Sequence, residues 1–456
     1  MAKTFRKGPN EQMRLGVFFN PTGHHVASWR HPEAQKDAGI NFQHYTEIAQ
    51  TAERGKFDMI FLADSVSVRR ASMEALSRSA QYIANFEPLT LLSALSVVTN
   101  HIGLAATAST SYNEPYHVAR KFASLDHLSG GRAAWNLVTS TQDAEAQNFG
   151  RTSHFKHAQR YERAREFARV VKGLWDSWDD DAFLRDRETG IFFKSEGLHV
   201  LDHEDKYFSV KGPLNVPRSP QGHPVIIQAG ASDAGIDLSA EVGEVIFSTP
   251  NSLDAAQTHY RTLKKKITTF GRSPDQVKIL PGLSPIVGKT DDEAEAKFEH
   301  LQSMIHPVVA REILGTVLGH VDLSPYPLDG PLPDLGETNA SKSTLKQFTE
   351  IAQKEDLTIL ELAMRVAGAR GKAVVRGSAK TIADFMEEWF VEEGADGFNI
   401  LPPYLPGALN DFVDLVVPEL QRRGLFRIEY SGRTLRENLG LPKPQSCYSV
   451  QSNLKE

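Results

Sequence analysis

The sequence has a single cysteine, Cys447, among 456 residues. One thiol cannot form an internal disulfide framework, and a cysteine in the C-terminal tail is a poor candidate for a nucleophile. No apolar run approaches the roughly 20 residues that span a bilayer. The first residues lack the apolar core of a signal peptide. These absences predict a cytoplasmic protein with no membrane partner.

An excess of positive charge is also missing. The chain carries 51 Lys and Arg against 57 Asp and Glu, which gives a net charge of -6. A protein that holds nucleic acid needs a basic surface to neutralise phosphates. The one lysine run, 264–266, is typical of a solvated helix face. We therefore predict no nucleic-acid partner.

Three common catalytic motifs are absent as well. The sequence has no Walker A loop, no Gly-x-Gly-x-x-Gly dinucleotide turn and no Gly-x-Ser-x-Gly elbow. Two histidine pairs have metal-like spacing but lack carboxylate or thiolate company: His154 with His157, and His199 with His203. These observations argue against P-loop, Rossmann, serine-hydrolase and metal chemistry, and we predict no metal.

What the chain does have is an alternation of short apolar strands with amphipathic helices. Several strands are nearly continuous apolar runs, as strands buried on both faces are. Eight such β/α units predict an α/β fold of the (β/α)8 TIM-barrel type, with an open doubly wound sheet as the alternative. The predicted strands are Leu15–Asn20, Met59–Ala63, Ile102–Ala108, Ala133–Val138, Val225–Ala229, Val245–Ser248, Val277–Val287 and Gly397–Leu401.

Two long spans interrupt this rhythm within a single predicted domain of residues 1–456. They cover about 141–222 and 288–394, and both follow strands, which predicts that both project from the C-terminal face of the barrel. Inserts of this length are usually lids or binding loops. A C-terminal extension of about 418–456 follows, and we expect its polar end to be an oligomer arm or disordered.

Polar side chains at the strand ends indicate the kind of ligand. They are mostly hydroxyls and amides, and Asp64 is their single carboxylate. This set suits a flat neutral ring and a phosphate, whereas glycoside hydrolysis needs two carboxylates. His157, Arg160 and Tyr161 open a long helix after the fourth strand, and a helix start is a natural anion site.

Each of these residues also has a purely structural interpretation. Ser232, in the run Gly230-Ala231-Ser232, is either a plain helix cap or part of a phosphate site. Tyr161 also falls on an apolar helix stripe. Four histidines are candidates for acid/base or pocket groups, although each is also explained by structure alone: His24, His25, His306 and His320.

Several segments together resemble the bacterial luciferase-like flavin-dependent monooxygenases. The narrower group includes nitrilotriacetate monooxygenase component A, dibenzothiophene-sulfone monooxygenase and the pristinamycin synthase subunit. The resemblance covers roughly residues 12 to 445. It rests on FDMIFLADS at 57–65, the run from EPLTLLSAL at 87 to RAAWNLVTS at 132–140, HAQRYERAREF at 157–167, VIIQAGASDAG at 225–235, PELQRRGLFR at 418–427 and TLRENLGLP at 434–442.

This resemblance implies a site for reduced FMN at the mouth of a TIM barrel. The implied contacts are Asp64, Thr107, His157, Tyr161 and Ser232, with Tyr161 and Ser232 at the phosphate. Asn136 and Phe247 would line the flavin ring. His320 falls where some relatives have a substrate-pocket histidine. As a hypothesis, His25 or His320 acts as the catalytic acid or stabilises the oxygenated flavin.

The resemblance also implies a mechanism and partners. A separate NAD(P)H:flavin reductase supplies FMNH2, O2 adds at flavin C4a as a hydroperoxide, and one oxygen atom enters a small organic substrate. A homodimer or homotetramer is implied too. Two alternatives remain open, namely an F420-dependent oxidoreductase and a non-catalytic flavin-binding protein. The substrate is not fixed, since Phe18 and Phe19 favour an apolar or aromatic molecule whereas Arg30 or the His24-His25 pair favours a carboxylate.

Overall fold

A computed structural model describes residues 11–68, 71–140, 142–230, 232–335, 342–369 and 373–448. Among these residues, no helix is both long and apolar enough to cross a bilayer. The strands in this part of the chain are β1 (Arg14–Phe18), β2 (Met59–Leu62), β3 (Gly103–Ser109), β4 (Ala133–Val138), β5 (His203–Glu204), β6 (Ser209–Val210), β7 (Val225–Gln228), β8 (Val245–Ser248), β9 (Lys278–Val287), β10 (Ala373–Gly377) and β11 (Gly397–Ile400).

Eight of these strands close into a parallel barrel. Their order is β1-β2-β3-β4-β7-β8-β9-β11, and β11 pairs with β1 to complete the ring. The predicted TIM barrel is confirmed, and the open-sheet alternative is wrong. The eight predicted strands match the eight barrel strands to within two residues at either end. Strand β10 pairs in parallel with β9 outside the ring, and β5 with β6 forms a small antiparallel hairpin.

The helices surround the barrel and fill the two long inserts. Local sequence explains several of their starts, since Pro88 and Pro115 occupy first turns and Asn41 caps the first helix by accepting from the His44 N–H. Their bounds are α1 (Phe42–Arg54), α2 (Met73–Leu76), α3 (Pro88–Leu95), α4 (Pro115–Ser129), α5 (Asp143–Gln147), α6 (His157–Trp175), α7 (Asp233–Val242), α8 (Leu253–Thr269), α9 (Asp291–Ser303), α10 (Pro307–Val317), α11 (Lys342–Lys354), α12 (Ile359–Ala369), α13 (Ala379–Val391), α14 (Gly407–Asp411), α15 (Val417–Arg422) and α16 (Leu435–Leu439).

Inward and outward residues alternate along the barrel strands, as the pleat requires. On β2, Met59 and Phe61 belong to the cluster that fills the barrel, whereas Ile60 and Leu62 pack between the strands and the helices. Phe19 also belongs to that outer layer. Phe19 therefore faces the helix layer of the barrel and not its interior.

The second insert has a small hydrophobic core of its own. Ile305 and Val309, at the α9–α10 junction, cluster with residues of α12 and with Val26 and Ala27 from the loop after β1. The insert therefore packs on the β1 side of the barrel mouth. Whether it moves as a lid stays a prediction.

The C-terminal extension closes the amino-terminal end of the barrel. Leu435 and Leu439 of α16 pack into the cluster that fills the barrel interior. Arg436 donates to both carboxylate oxygens of Glu244 at 2.7 and 2.8 Å. The described part of the tail is thus an ordered plug. The predicted oligomer arm or disordered end at 449–456 lies outside the described residues.

Candidate active site

Three aromatic rings line the carboxyl-terminal half of the barrel interior. Phe18 packs edge-on against Phe61 with ring centroids 4.9 Å apart, and Phe61 stacks with Phe247 at 6.1 Å. Their strands, β1, β2 and β8, place them near the strand ends where barrel enzymes hold their substrates. Phe247 was predicted as a site residue from the sequence, whereas Phe61 was not. The alternation of inward and outward residues along β2 was the signal that could have identified Phe61.

A polar chain adjoins these rings on β3 and β4. Asn136 donates from Nδ2 to Thr107 Oγ1 at 2.7 Å, and Thr107 donates to the Leu62 carbonyl at 2.7 Å. The side-chain oxygen of Asn136 is buried and has no hydrogen-bond partner among the described residues. A buried acceptor without a donor is costly. This acceptor therefore fits a ligand that brings an N–H group.

Asn399 of β11 forms a second buried acceptor of this kind. Asn399 is 1% exposed, and its Oδ1 also lacks a hydrogen-bond partner within the described part of the chain. It pairs in register with Gly16 of β1, where an added Cβ would lie 2.9 Å from that oxygen. Gly16 therefore leaves room for an inward amide. The pattern of β11, a single polar residue within an apolar strand, was the available signal for Asn399.

The predicted phosphate contacts meet at the start of α7. Ser232 caps this helix by accepting from the Gly235 N–H at 3.2 Å, and its Oγ lies 3.5 Å from the Tyr161 hydroxyl. Tyr161 and His157 lie one turn apart on α6, with ring centroids at 4.9 Å. An ideal Cβ on Gly235 would lie 3.2 Å from the Tyr161 hydroxyl. Hydroxyls beside a helix N-terminus form a donor set that fits a phosphate.

Arg160 and Asp64 complete the rim. Arg160 donates from Nη1 to the Ser140 carbonyl at 2.6 Å, so it braces the loop after β4. Asp64 follows β2, and burial raises the pKa of its carboxyl above the usual range, although a hydrogen bond from the Ser65 backbone opposes this. A carboxyl group that keeps its proton at higher pH can donate as well as accept.

The candidate catalytic histidines lie in different places. His25 is buried, its Nδ1 accepts from the Ala27 N–H at 3.2 Å, and its Nε2 lies 3.3 Å from Gln302 Oε1 of α9. Its neighbour His24 packs edge-on against Phe18 at 4.5 Å. His320 follows α10, is exposed, and has a left-handed φ of 64°. No contact within the described residues joins His320 to the other predicted site residues.

One group elsewhere has the composition of a metal site. Glu166, His203 and Asp205 each offer a ligand atom, and these atoms lie within 4.8 Å of one another. Glu166 already accepts from the backbone N–H groups of Tyr207 and Phe208 at 3.0 and 2.8 Å, and its Oε1 lies 3.2 Å from His203 Nε2. These contacts tie the β5–β6 hairpin to α6. The prediction of no metal remains a prediction.

A closed parallel barrel with polar and aromatic residues at its mouth defines a (β/α)8-barrel enzyme. The family described as luciferase-like monooxygenase matches residues 20–397. The chain therefore belongs to the luciferase-like monooxygenase family. The resemblance predicted from the sequence and the prediction of an enzyme are confirmed.

Three similar proteins illustrate the relationship. N-acetyl-S-(2-succino)cysteine monooxygenase of Bacillus subtilis (strain 168) is 53% identical over 96% of this chain and 99% of its own. Nitrilotriacetate monooxygenase component A of Aminobacter aminovorans is 49% identical over 98% of this chain and 100% of its own. Among solved structures, a crystal structure of riboflavin lyase with modified FMN and the substrate riboflavin is similar to this chain, with a TM-score of 0.83. The two sequences are 31% identical, and the match covers 95% of this chain and 97% of the lyase.

Proposed function

We propose that this protein is a two-component, FMN-dependent monooxygenase that uses FMNH2 and O2 to insert one oxygen atom into a small organic substrate. The observation that carries this proposal is the meeting of Tyr161 and Ser232 at the N-terminus of α7, beside a barrel mouth with an unpartnered buried amide oxygen. The modified FMN in the structure of the riboflavin lyase supports the choice of flavin.

The residues of this chain would then bind, orient and shield. Tyr161, His157 and Ser232 would hold the phosphate. The Asn136 side-chain oxygen would accept from a ring N–H, while its Nδ2 donates to Thr107 and fixes the amide. When bound, reduced FMN supplies the electrons and the atom at which O2 reacts. Water entry would divert the oxygen to hydrogen peroxide, and the rings of Phe18, Phe61 and Phe247 keep that part of the barrel apolar.

A separate NAD(P)H:flavin reductase would provide the FMNH2. The Aminobacter relative is named as component A, which supports a system of more than one component. We also propose a cytoplasmic homodimer or homotetramer. Size-exclusion chromatography with light scattering measures the oligomeric state directly.

A substrate screen tests the proposed function. The purified protein, a flavin reductase, FMN and NADH are incubated with candidate substrates, and substrate loss is scored by mass spectrometry. NADH loss alone is uninformative, because free FMNH2 is oxidised by O2 without the enzyme. A parallel arm with reduced F420 separates the F420-dependent alternative. Flavin binding without any product would favour the non-catalytic alternative.

His25 and His320 remain the proposed acid groups, and their replacement is a testable prediction. A pocket histidine that delivers a proton should favour substrate oxygenation over peroxide release. We expect His25→Ala or His320→Ala to lower product formed per FMNH2 consumed by roughly tenfold, with a matching rise in hydrogen peroxide. His117→Ala, an exposed histidine on α4, is the matched control. If both variants keep the wild-type yield in a single-turnover experiment, neither residue has this role.

A further inference from the structure

A cavity of about 190 Å³ lies beside the second insert, outside the flavin site described above. Three segments build it, namely the loop between β1 and α1, the segment between β2 and α3, and the α9–α10 junction. Each contributes one nitrogen-rich side chain, and these are Arg30, Arg78 and His306 in turn. The first two segments follow β1 and β2 at their carboxyl ends, and the α9–α10 junction packs on the loop after β1, so the cavity belongs to the catalytic face.

The cationic side chains of this cavity are held in place. Arg78 donates from Nε to His306 Nε2 at 3.2 Å and from Nη1 to the Glu74 carbonyl at 2.8 Å. The Trp29 indole N–H donates to the Arg78 carbonyl at 3.2 Å, which joins the β1 and β2 segments. Arg30 donates to the Met304 carbonyl at the end of α9. The guanidinium groups are therefore positioned before any ligand arrives.

The two guanidinium groups have few ion-pair partners. The nearest ion pair of Arg78 is with Glu74, at 3.7 Å and with both side chains partly exposed. Within the described ranges, no carboxylate forms an ion pair with Arg30. The opposite wall is apolar and includes Val26, Ile305 and Val309. Guanidinium groups facing an apolar wall suit an organic molecule that carries a carboxylate better than they suit a bare inorganic anion.

The position of the cavity relates it to the flavin site. Around the barrel, β9, β11, β1 and β2 are neighbours, whereas β4 and β7, which lead into α6 and α7, lie across the ring from β11 and β1. The cavity and the Tyr161–Ser232 pair are therefore on opposite sides of the mouth. A smaller cavity shares Val26 and Trp29 with the first and reaches Asn20, two residues beyond β1. This second cavity therefore lies between the end of β1 and Trp29, a lining residue of the first cavity.

We propose that Arg30 and Arg78 bind a carboxylate of the substrate, so that this enzyme oxidises an organic acid. This inference rests on the proposed function for the reaction itself. Of the two substrate classes that the sequence suggests, it favours the carboxylate, for which Arg30 was a candidate, over the apolar or aromatic molecule favoured by Phe18 and Phe19. Phe19 faces the helix layer, and the proposed function already uses Phe18, Phe61 and Phe247 to keep the barrel mouth apolar around the flavin.

Binding of a small dicarboxylate tests the proposal. The protein is titrated calorimetrically with FMN, and then, with and without FMN, with succinate, with neutral dimethyl succinate and with inorganic phosphate. Wild-type protein should bind succinate at least roughly tenfold more tightly than either comparison compound, because hydrogen bonds between ionised partners are strong. Arg30→Gln with Arg78→Gln should lose at least about tenfold in succinate affinity. Arg261→Gln, an exposed arginine on α8, should lose none.

The two comparison compounds and the double variant each give a result that can overturn the proposal. Equal succinate affinity in the double variant and the wild type overturns the proposal, as does equal affinity of the wild type for succinate and its ester. Equal affinity for phosphate overturns the assignment to an organic acid. FMN affinity and the thermal melting temperature should be unchanged in the double variant. If either changes, the single variants are used instead, and each should lose roughly threefold in succinate affinity. If wild-type protein binds succinate through these arginines but fails to bind FMN, the proposed function fails and the carboxylate site stands.

Discussion

A Tyr161→Phe, Ser232→Ala double variant is expected to bind FMNH2 roughly a hundredfold more weakly than the wild type. The two hydroxyls lie 3.5 Å apart at the N-terminus of α7, and the proposed ligand there is a phosphate. A hydrogen bond to a charged group contributes about 1.5–3 kcal/mol, so the loss of two corresponds to at least roughly two powers of ten. Anaerobic fluorescence titration with FMNH2 measures the effect.

The control for this variant makes the same chemical changes away from the mouth. Tyr207 donates its hydroxyl hydrogen to Glu162 on the protein surface, and Ser273 caps a short 3-10 helix before β9 at the other end of the barrel. Tyr207→Phe with Ser273→Ala should leave FMNH2 affinity unchanged. Unaltered affinity in the Tyr161–Ser232 variant would show that this helix start does not hold the phosphate.

Replacement of Arg427 by Gln is expected to lower the free energy of unfolding by roughly 3–5 kcal/mol, the usual result of breaking a buried ion pair. Arg427 is 5% exposed and Asp58 is fully buried, and the two form a close pair beneath β2. Arg427 also donates to the Asn438 carbonyl at 2.8 Å, next to the α16 plug. Its loss removes the direct cationic partner of the buried Asp58 carboxylate and leaves the longer-range Coulombic interaction with Arg14. Urea unfolding measures the change.

Two further variants separate charge from packing. Arg433→Gln lies in the same tail but is exposed, and it should change stability by less than about 0.5 kcal/mol. Asp58→Asn combined with Arg427→Gln should recover part of the loss, because removing both charges avoids the unpaired carboxylate. If the Arg427→Gln variant has the same urea midpoint of unfolding as the wild type, the Arg427–Asp58 pair does not stabilise the fold.

The barrel was predictable because its strands are short, nearly continuous apolar runs, and such runs are typical of strands that are buried on both faces. Strands β5, β6 and β10 were missed, since β5 and β6 have two residues each and β10 lies outside the ring, where it is only partly buried. The plug was missed for another reason. The leucines of α16 become informative only when their position under the barrel is known, because the helix has five residues.

The functional residues also fall into those that local sequence predicts and those that only the fold brings together. Local sequence was enough to pair Tyr161 with His157, since both lie on one helix face, and Ser232 with the start of α7. It was not enough for Arg78 and His306, which are 228 positions apart and meet only through the fold. Asn399 was missed for a similar reason, because its orphaned amide oxygen depends on Gly16 in the neighbouring strand.

Oxygen-isotope labelling shows whether this protein is an FMNH2-dependent monooxygenase. The protein is supplied with FMNH2 by a flavin reductase under ¹⁸O₂, with a panel of organic acids. The prediction is a consumed acid whose product carries one ¹⁸O atom, formed only when FMNH2, O2 and this protein are all present. Oxygen from labelled water in a product whose oxygen does not exchange with water, or a product that forms equally well with reduced F420 instead of FMNH2, would show that the protein is not an FMNH2-dependent monooxygenase.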